Sequence, residues 1–452
     1  MKIVISGSGE VGFHLAEQLV ASNQDVVLIE KNPARARFVN DHLDCLVIEG
    51  EGSNPEVLAE AGVASADTFI AVSNLDEVNI VSCLVVATEF KVKTKIARVR
   101  SLQYRRSGIL RNSLLGIDYV VNPEIEAARA IMNVVVHGAT GEVLVFEGTD
   151  IQMRNIFVDK RSLMRGKTLR EIRQQLNYNF IIAGIIRDDE VIIPHGETKI
   201  KEGDRVYVVS NKRNMERLFT RTGHRRHNLH NVVVVGGGKI GSYVTEFLLS
   251  TGRQVKIVER DYEHCKYLAE RFPEVLVINE DISDEKIFED EQLHLSDLLV
   301  TTTADEALNM LTAIYAKSLG VKRVIPVVNK SSYLNIADKL GIDVTVSPKA
   351  SSVSAILKYV RRGNIKRVHS IFDGKAEAIE FAVSAESRIA GKMVKELQLP
   401  SGTLVVAVNR PLKGTQSKNF VPNGEFVIQA GDNVVTFAKA EQVDSLEELF
   451  LS

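Results

Sequence analysis

The sequence predicts an α/β protein: two Rossmann-like, doubly wound parallel-sheet domains, each followed by a small α+β domain. Three observations predict it. Segments of the first half recur in the same order in the second half. Within each copy, short apolar runs alternate with amphipathic stretches, the pattern of βαβ units. Later in each copy that alternation gives way to strand–turn–strand patterns.

The repeat settles the architecture. Residues 2–12 read KIVISGSGEVG and residues 231–241 read NVVVVGGGKIG. VVLIE (26–30) is matched by VKIVE (255–259), with the same spacing from the last glycine to the glutamate. GIDYVVNP (116–123) is matched by GIDVTVSP (341–348), and IPHGETKIKEGDRV (193–206) by VPNGEFVIQAGDNV (421–434). In the first copy the expected strands are Lys2–Ser6, Val26–Ile29, Cys45–Ile48, Thr68–Val72, Lys95–Val99 and Tyr119–Val121. Amphipathic stretches at Val11–Val20 and Asn79–Phe90 read as helices between them, which makes the connections right-handed and the sheet parallel. NFIIAGIIRDDEV (179–191) then reads as strand, acidic turn, strand, and Gly203–Asp204 precedes another strand at Val206–Val209. The expected divisions are 1–136, 137–222, 231–365 and 366–452. Between the copies, TRTGHRRHNLH (220–230) is apolar-poor and reads as a linker. His224, His227 and His230 recur at intervals of three, but no carboxylate or cysteine lies nearby to complete a metal shell. No metal site is expected.

Composition bounds the function. The 452 residues are 45% hydrophobic and 25% charged, with a formal net charge of −2, so no basic excess points to nucleic acid. Cys45, Cys83 and Cys265 are scattered and suggest no disulfide framework, which fits a reducing compartment. No apolar run approaches the ~20 residues that span a bilayer, and no leader pattern opens the chain. A cytoplasmic location is expected, and any action at a membrane requires another chain.

The chemistry lies in the glycine turns. Gly7-Ser8-Gly9-Glu10-Val11-Gly12 follows an apolar strand and opens a helix, the context that the dinucleotide fingerprint needs. The first glycine permits the turn, the second admits a pyrophosphate to the backbone, and the third packs helix on strand. Free amides and the helix dipole attract phosphate. Glu30, ending the second strand, can accept ribose hydroxyls and would repel a 2′-phosphate. The alternative is a bare turn that binds nothing. The second copy keeps Gly236-Gly237-Gly238-Lys239-Ile240-Gly241 and Glu259; here the bare-turn alternative weighs more, because the turn alone demands glycine. Glu51 and Asp281, after the third strand of each copy, either touch the ligand or belong to loops where Ser53 and Ser283 cap the next helix. Ser73 and Asn74 follow the fourth strand, at the carboxyl end where α/β sheets bind ligands. Arg98 ends the fifth strand and either pairs with a phosphate or makes a surface ion pair. Its counterpart is Val327.

These residues together resemble the RCK (TrkA-N) nucleotide-binding domain. So do LAEAGVASADTFIAVSNLDEVN (58–79), ARVRSLQY (97–104) and GIDYVVNP (116–123). GKTLREI (166–172) and IPHGETKIKEGDRVYV (193–208) resemble the companion TrkA-C (RCK-C) domain. The N–C–N–C order over the whole chain is similar to that of the cytosolic regulatory subunit of Trk-type potassium uptake systems. The resemblance implies a non-enzymatic regulator that binds NAD(H) or ATP/ADP. It implies action at the inner face of the membrane through a separate Trk-type potassium transporter subunit, and a homo-oligomer, a tetramer of chains. The sequence departs from the family pattern at Gly50-Glu51 and Glu280-Asp281, where the family has GD, at Ala304-Asp305-Glu306-Ala307-Leu308-Asn309, where the first copy has DEVN, and at Val327. The rival reading is an NAD-dependent oxidoreductase. It needs an acid or base beside the nicotinamide. His195 has Asn423 at its matching position, and no Ser/His/Asp, Cys/His or paired-carboxylate set is evident in the sequence.

Overall fold

The computed structural model describes residues 1–101, 103–104, 115–137, 143–146, 149–160, 162–176, 178–188, 190–221, 229–342, 344–360, 365–371, 375–412 and 417–451. His224 and His227 lie outside them. Two compact units emerge: residues 1–123 with 349–405 and 424–452, and residues 124–348 with 406–423.

In the first unit, β1 (Lys2–Ser6), β2 (Asp25–Glu30), β3 (Leu46–Glu49), β4 (Thr68–Ala71), β5 (Thr94–Arg98) and β6 (Tyr119–Val121) form one sheet ordered β3-β2-β1-β4-β5-β6. Every pairing is parallel. The strands are apolar on both faces because both are covered. On one face Ile3, Ile5, Leu28, Ile70 and Ile96 pack with Leu15 and Leu19 of α1 (Glu10–Ala21). On the other, Val4, Val27, Ile29, Phe69 and Ala97 pack with Leu58 of α3 (Pro55–Glu60) and Cys83 and Val86 of α4 (Asp76–Glu89). Helix α2 (Pro33–His42) follows β2.

The first face also holds a helix from far along the chain. Val353, Ile356, Leu357 and Val360, from the helix Pro348–Val360, join the core around Ile5 and Leu15. Tyr359 stacks on Tyr119 with ring centroids 4.5 Å apart, and its hydroxyl donates to the Asp118 carbonyl at 2.9 Å. The helix that closes the Rossmann-like segment of the second copy in sequence thus covers the sheet of the first. The same unit contains the antiparallel run of strands Ile365–Ile371, Ala376–Ala382 and Asn433–Lys439.

In the second unit, β12 (Asn231–Val235), β13 (Gln254–Glu259), β14 (Leu276–Asn279), β15 (Leu298–Thr301) and β16 (Arg323–Pro326) form a parallel sheet ordered β14-β13-β12-β15-β16. Val346 adds one parallel bridge to Val327 where the first copy has the strand β6. A separate antiparallel sheet holds β7 (Val143–Val145), β8 (Ile151–Phe157), β9 (Ile181–Arg187), β10 (Glu190–Ile192) and β11 (Arg205–Asn211), in the order β10-β9-β11-β8-β7. The Gly203–Asp204 turn is fixed from within. Asp204 is buried, accepts two bonds from the Arg187 guanidinium at 2.8 and 2.7 Å, and takes the Lys201 amide at 2.7 Å. The three cysteines are free thiols.

Candidate functional site

The two glycine turns lie at the carboxyl ends of β1 and β12, where each chain turns into a helix. Gly7 has φ +100° and Gly236 φ +91°, which favours glycine at both. A Cβ on Gly7 would lie 2.8 Å from the Ser73 backbone, so the turn and the loop after β4 touch directly. A Cβ on Gly12 would lie 1.9 Å from the Gly7 carbonyl oxygen, and one on Gly241 2.0 Å from that of Gly236. The middle glycines differ. A Cβ on Gly9 meets only Asn74 Oδ1, at 3.7 Å, and one on Gly238 meets nothing within 4 Å. Gly9 and Gly238 are the N-caps of α1 and of the helix Lys239–Ser250, and no side chain caps either. Both helix N-termini therefore present their amides to an anion.

Glu30 is wired into its turn. Its Oε2 accepts the Ser8 amide at 2.8 Å and the Ser8 hydroxyl at 2.7 Å, and its Oε1 accepts the Asn32 amide at 2.8 Å. Burial pushes this carboxyl up, but the Asn32 and Ser8 bonds and the Arg35 charge together hold it below the ordinary glutamate value. Arg35 Nε donates to the Ser8 carbonyl at 2.9 Å, with its guanidinium over the Phe13 and Phe38 rings. An ionised carboxylate has about four acceptor positions. With three taken, a ribose can use both of its hydroxyls only by displacing the Ser8 hydroxyl, which is free to rotate.

The second turn repeats this with substitutions. Glu259 accepts the Gly237 amide at 2.9 Å and the Asp261 amide at 3.0 Å. His264 Nε2 lies 3.0 Å from the Gly237 carbonyl oxygen, the place that Arg35 takes in the first copy. Asn79 and Asn309, both buried, perform one task twice. Asn79 accepts the Ser73 amide and donates to the Ser73 and Arg98 carbonyls; Asn309 accepts the Thr303 amide and donates to the Thr303 and Val327 carbonyls. This pair equates Arg98 with Val327 in three dimensions.

Several predicted residues fall together. Arg98 Nη1 donates to the Ser73 carbonyl at 3.2 Å and to Asn74 Oδ1 at 3.4 Å, which joins the loops after β4 and β5 over the first turn. Glu10 and Lys239 are exposed at their helix starts, and Ile240 is partly buried. Val11 is different: its side chain is in the core beside Ile5, so only its backbone faces the turn. Glu51 is exposed, 3.8 Å from Lys31 Nζ. The serines beside it do not cap. Asn54 caps α3, its Oδ1 accepting the Glu56 amide at 2.9 Å. The helix Ile287–Asp290 starts after Lys286, and Ser283 instead donates its amide and hydroxyl to Asp281 Oδ1 at 3.0 and 2.8 Å. The Ser283 amide and hydroxyl hold the Asp281 carboxyl below its ordinary value. A side chain able to accept at the residue next to proline captured the cap of α3; at the second loop the turn closes on Asp281 before the helix begins.

A cleft of about 740 Å³ opens over the second turn, between Gly236, Glu259 and Asp281 on one side and Thr303, Lys330 and Tyr333 on the other. Sequence reasoning missed four residues across the two sites: Arg35 and Asn79 at the first, Lys330 and Tyr333 at the second. Only Asn79 had a signal, its recurrence as Asn309. Among the described residues no group of three or more His, Cys, Asp or Glu is placed to hold a metal, and no helix is long and apolar enough to cross a membrane.

The model of the TrkA-N domain matches residues 3–123 and 232–348, and that of the TrkA-C domain residues 153–223 and 378–451. The Trk system potassium uptake protein TrkA of Halomonas elongata is 32% identical over 456 residues, covering 100% of this chain and 98% of its own. The TrkA homolog 1 of Methanosarcina mazei is 32% identical over 457 residues, covering 100% of both. Among solved structures, the GsuK channel bound to NAD superimposes with a TM-score of 0.57 at 19% identity, covering 100% of this chain and 79% of that one. The GsuK RCK domain gives 0.55 at 18% identity, covering 100% and 95%. The structural likeness is one of fold.

Proposed function

The chain belongs to the TrkA family of Trk potassium uptake proteins, with TrkA-N and TrkA-C domains in tandem, and we propose that it regulates potassium uptake by binding adenine nucleotides, NAD(H) or ATP/ADP, in its glycine turns. The observation that carries this reading is the first turn: an uncapped helix N-terminus beside a carboxylate held ionised at the end of β2. One part suits phosphate and the other suits ribose. Gly7, Ser8, Gly9, Glu10, Val11 and Gly12 supply the turn, Glu30 the ribose contact, and Arg98 with Ser73 and Asn74 the opposite wall. Glu51 is a peripheral contact. The second copy offers Gly236 to Gly241, Glu259 and Asp281.

No described helix can carry an ion across a bilayer, so a separate Trk-type membrane subunit does. The chain acts on it from the cytoplasmic side, as an assembly of four chains with eight nucleotide-binding domains. We retain the divisions 1–136, 137–222, 231–365 and 366–452 as the functional segments. Nucleotide acts by binding one arrangement of that assembly better than another, and a coupling of about 1–3 kcal/mol changes the open fraction several-fold. An oxidoreductase is disfavoured. His195, in the first TrkA-C module, is exposed in a turn that its amide closes on Thr198 Oγ1 at 3.0 Å, remote in sequence from either glycine turn.

Two measurements test this. Calorimetry with NAD, NADH, ADP and ATP should show binding that Glu30→Ala weakens about 10–100-fold, the loss of a charged hydrogen-bond partner. Flux through a Trk-type transporter reconstituted with the chain in vesicles should then respond to nucleotide. Unchanged affinity in the variant removes the site, and flux indifferent to nucleotide removes the regulation.

A further inference from the structure

We propose that the cleft of the second copy takes an adenine nucleotide bearing a single phosphate group, and that Lys330 holds that phosphate. This rests on the reading of the glycine turns as nucleotide sites and deepens it for one of them.

The second copy lacks the arginine that ends β5 in the first. Asn309 donates to the Val327 carbonyl as Asn79 does to that of Arg98, so the two positions are equivalent and the second copy has lost a guanidinium there. Val327 is buried and apolar. The cleft regains a cation three residues later. Lys330 lines it, its backbone amide donating to Glu306 Oε2 at 3.1 Å, and its ammonium lies 5.6 Å from the centre of the Tyr333 ring. That ammonium makes no ion pair among the described residues. The matching residue of the first copy is Ser101, whose amide donates to Asp76 Oδ2 at 2.7 Å just as that of Lys330 donates to Glu306. The amide contact is the same, and where the first copy has a serine the second has a lysine that lines the cleft.

The charge around Lys330 then limits the ligand. Five carboxylates line the cleft, Glu259, Glu280, Asp281, Asp305 and Glu306, against two cations, Arg260 and Lys330. Glu280 and Asp305 stand where the first copy has Gly50 and Leu75. Asp305 is fixed by its task as a helix cap, accepting the Ala307 and Leu308 amides at 2.9 and 3.1 Å. Two cations match one phosphate dianion. Each further phosphate adds charge facing the carboxylate surplus, and that repulsion grows with every charge added. The wall beside the turn has also changed. Ser6 and Gly52 of the first copy become Val235 and Ile282, which join one apolar core and line the cleft. That wall suits an adenine ring better than a second charged group.

The experiment uses the full chain carrying Glu30→Ala, which weakens the first site, and calorimetry in magnesium-free buffer. AMP should bind at least about tenfold more tightly than ATP, as expected for the loss of about 1.4 kcal/mol or more to repulsion. Lys330→Gln should weaken AMP about tenfold or more and leave adenosine unchanged, while Lys330→Arg keeps AMP within about threefold. Adenosine serves as the folding control, since its binding requires an intact cleft and no phosphate contact. ATP binding as tightly as AMP overturns the proposal, as does AMP affinity indifferent to Lys330→Gln or a loss that adenosine shares. A wild-type chain that binds nucleotide at the first copy alone overturns this proposal and leaves the regulatory reading standing; one that binds none at either copy overturns both.

Discussion

Gly9→Ala and Gly12→Ala separate the fold from the site, and the structure gives the size of each effect. Gly9 has φ −60° and ψ −172°, a backbone that alanine adopts without strain. Its new methyl would meet only Asn74 Oδ1, at 3.7 Å, an ordinary contact. Restricting the unfolded chain contributes about 0.4–1 kcal/mol of stability. Alanine is a poorer N-cap than glycine by a similar amount. The two offset, and the unliganded chain should melt within about 0.5 kcal/mol of wild type. The same methyl points into the open space before the helix N-terminus, where a phosphate would lie. Overpacking of about 1–3 kcal/mol there corresponds to a 5- to 150-fold loss of nucleotide affinity. Gly12→Ala behaves oppositely in its cause. Its methyl would lie 1.9 Å from the Gly7 carbonyl and 3.1 Å from Val72 Cγ2, so the backbone must move. The first sheet domain should lose about 1–3 kcal/mol or more. Scanning calorimetry of the unliganded variants reads the first effect, and nucleotide titration the second. Gly9→Ala with wild-type stability and wild-type affinity would refute the assignment of this turn to phosphate.

Three further outcomes are expected. The Glu30 carboxyl is depressed in the folded chain, so the stability it adds is present above its ordinary value of about 4.3 and is lost as pH falls through the depressed folded value; a pH series of melting temperatures for wild type and Glu30→Gln should converge in that acidic window and diverge above it. Arg98→Ala should weaken phosphate-bearing ligands at the first site about 10–100-fold and leave the second site unchanged, because the second site has no guanidinium at that position; equal losses at both sites by titration would contradict the assignment. Asp204→Ala strands the Arg187 guanidinium and the Lys201 amide. Breaking a buried pair costs about 3–5 kcal/mol, so hydrogen exchange should accelerate across β8, β9 and β11, and protection unchanged there would show that the pair contributes little.

What the sequence made legible follows from how local each cause is. The strands were readable because buried parallel strands are apolar throughout: the Lys2–Ser6 and Tyr119–Val121 segments appear with those bounds. The glycine turns were readable because steric demand fixes residue type at fixed spacing. The bonds around them were not. Arg35 reaches the Ser8 carbonyl from a different element, and nothing in its spacing marks it. Asn54 rather than Ser53 caps α3, because both residue types can cap and only the backbone path decides between neighbours. The docking of Val353, Ile356, Leu357 and Val360 on the first sheet was beyond local reading altogether. An amphipathic helix announces that it has an apolar face, and not which sheet will cover it.

The structure also changes what the repeated motif can be asked to prove. Glycines at Gly236 and Gly241 are explained by the turn, whether or not a ligand binds. The retained glutamate is too: Glu259 holds the Gly237 and Asp261 amides, a structural task that Glu30 shares. Motif retention in the second copy is therefore equally compatible with a silent turn and a working site. The residues that discriminate are those the fold does not need. The Lys330 ammonium lies 5.6 Å from the centre of the Tyr333 ring, and Glu280 lines the cleft where the first copy has a glycine. Four of the five carboxylates around the 740 Å³ opening also serve the fold, since Glu259, Asp281, Asp305 and Glu306 each accept a backbone amide, whereas folding gives no such reason for the side chains of Lys330 and Glu280. The two copies are accordingly one scaffold with two electrostatic linings, and what distinguishes their turns is Arg98 against Lys330 rather than the glycines that first revealed the repeat.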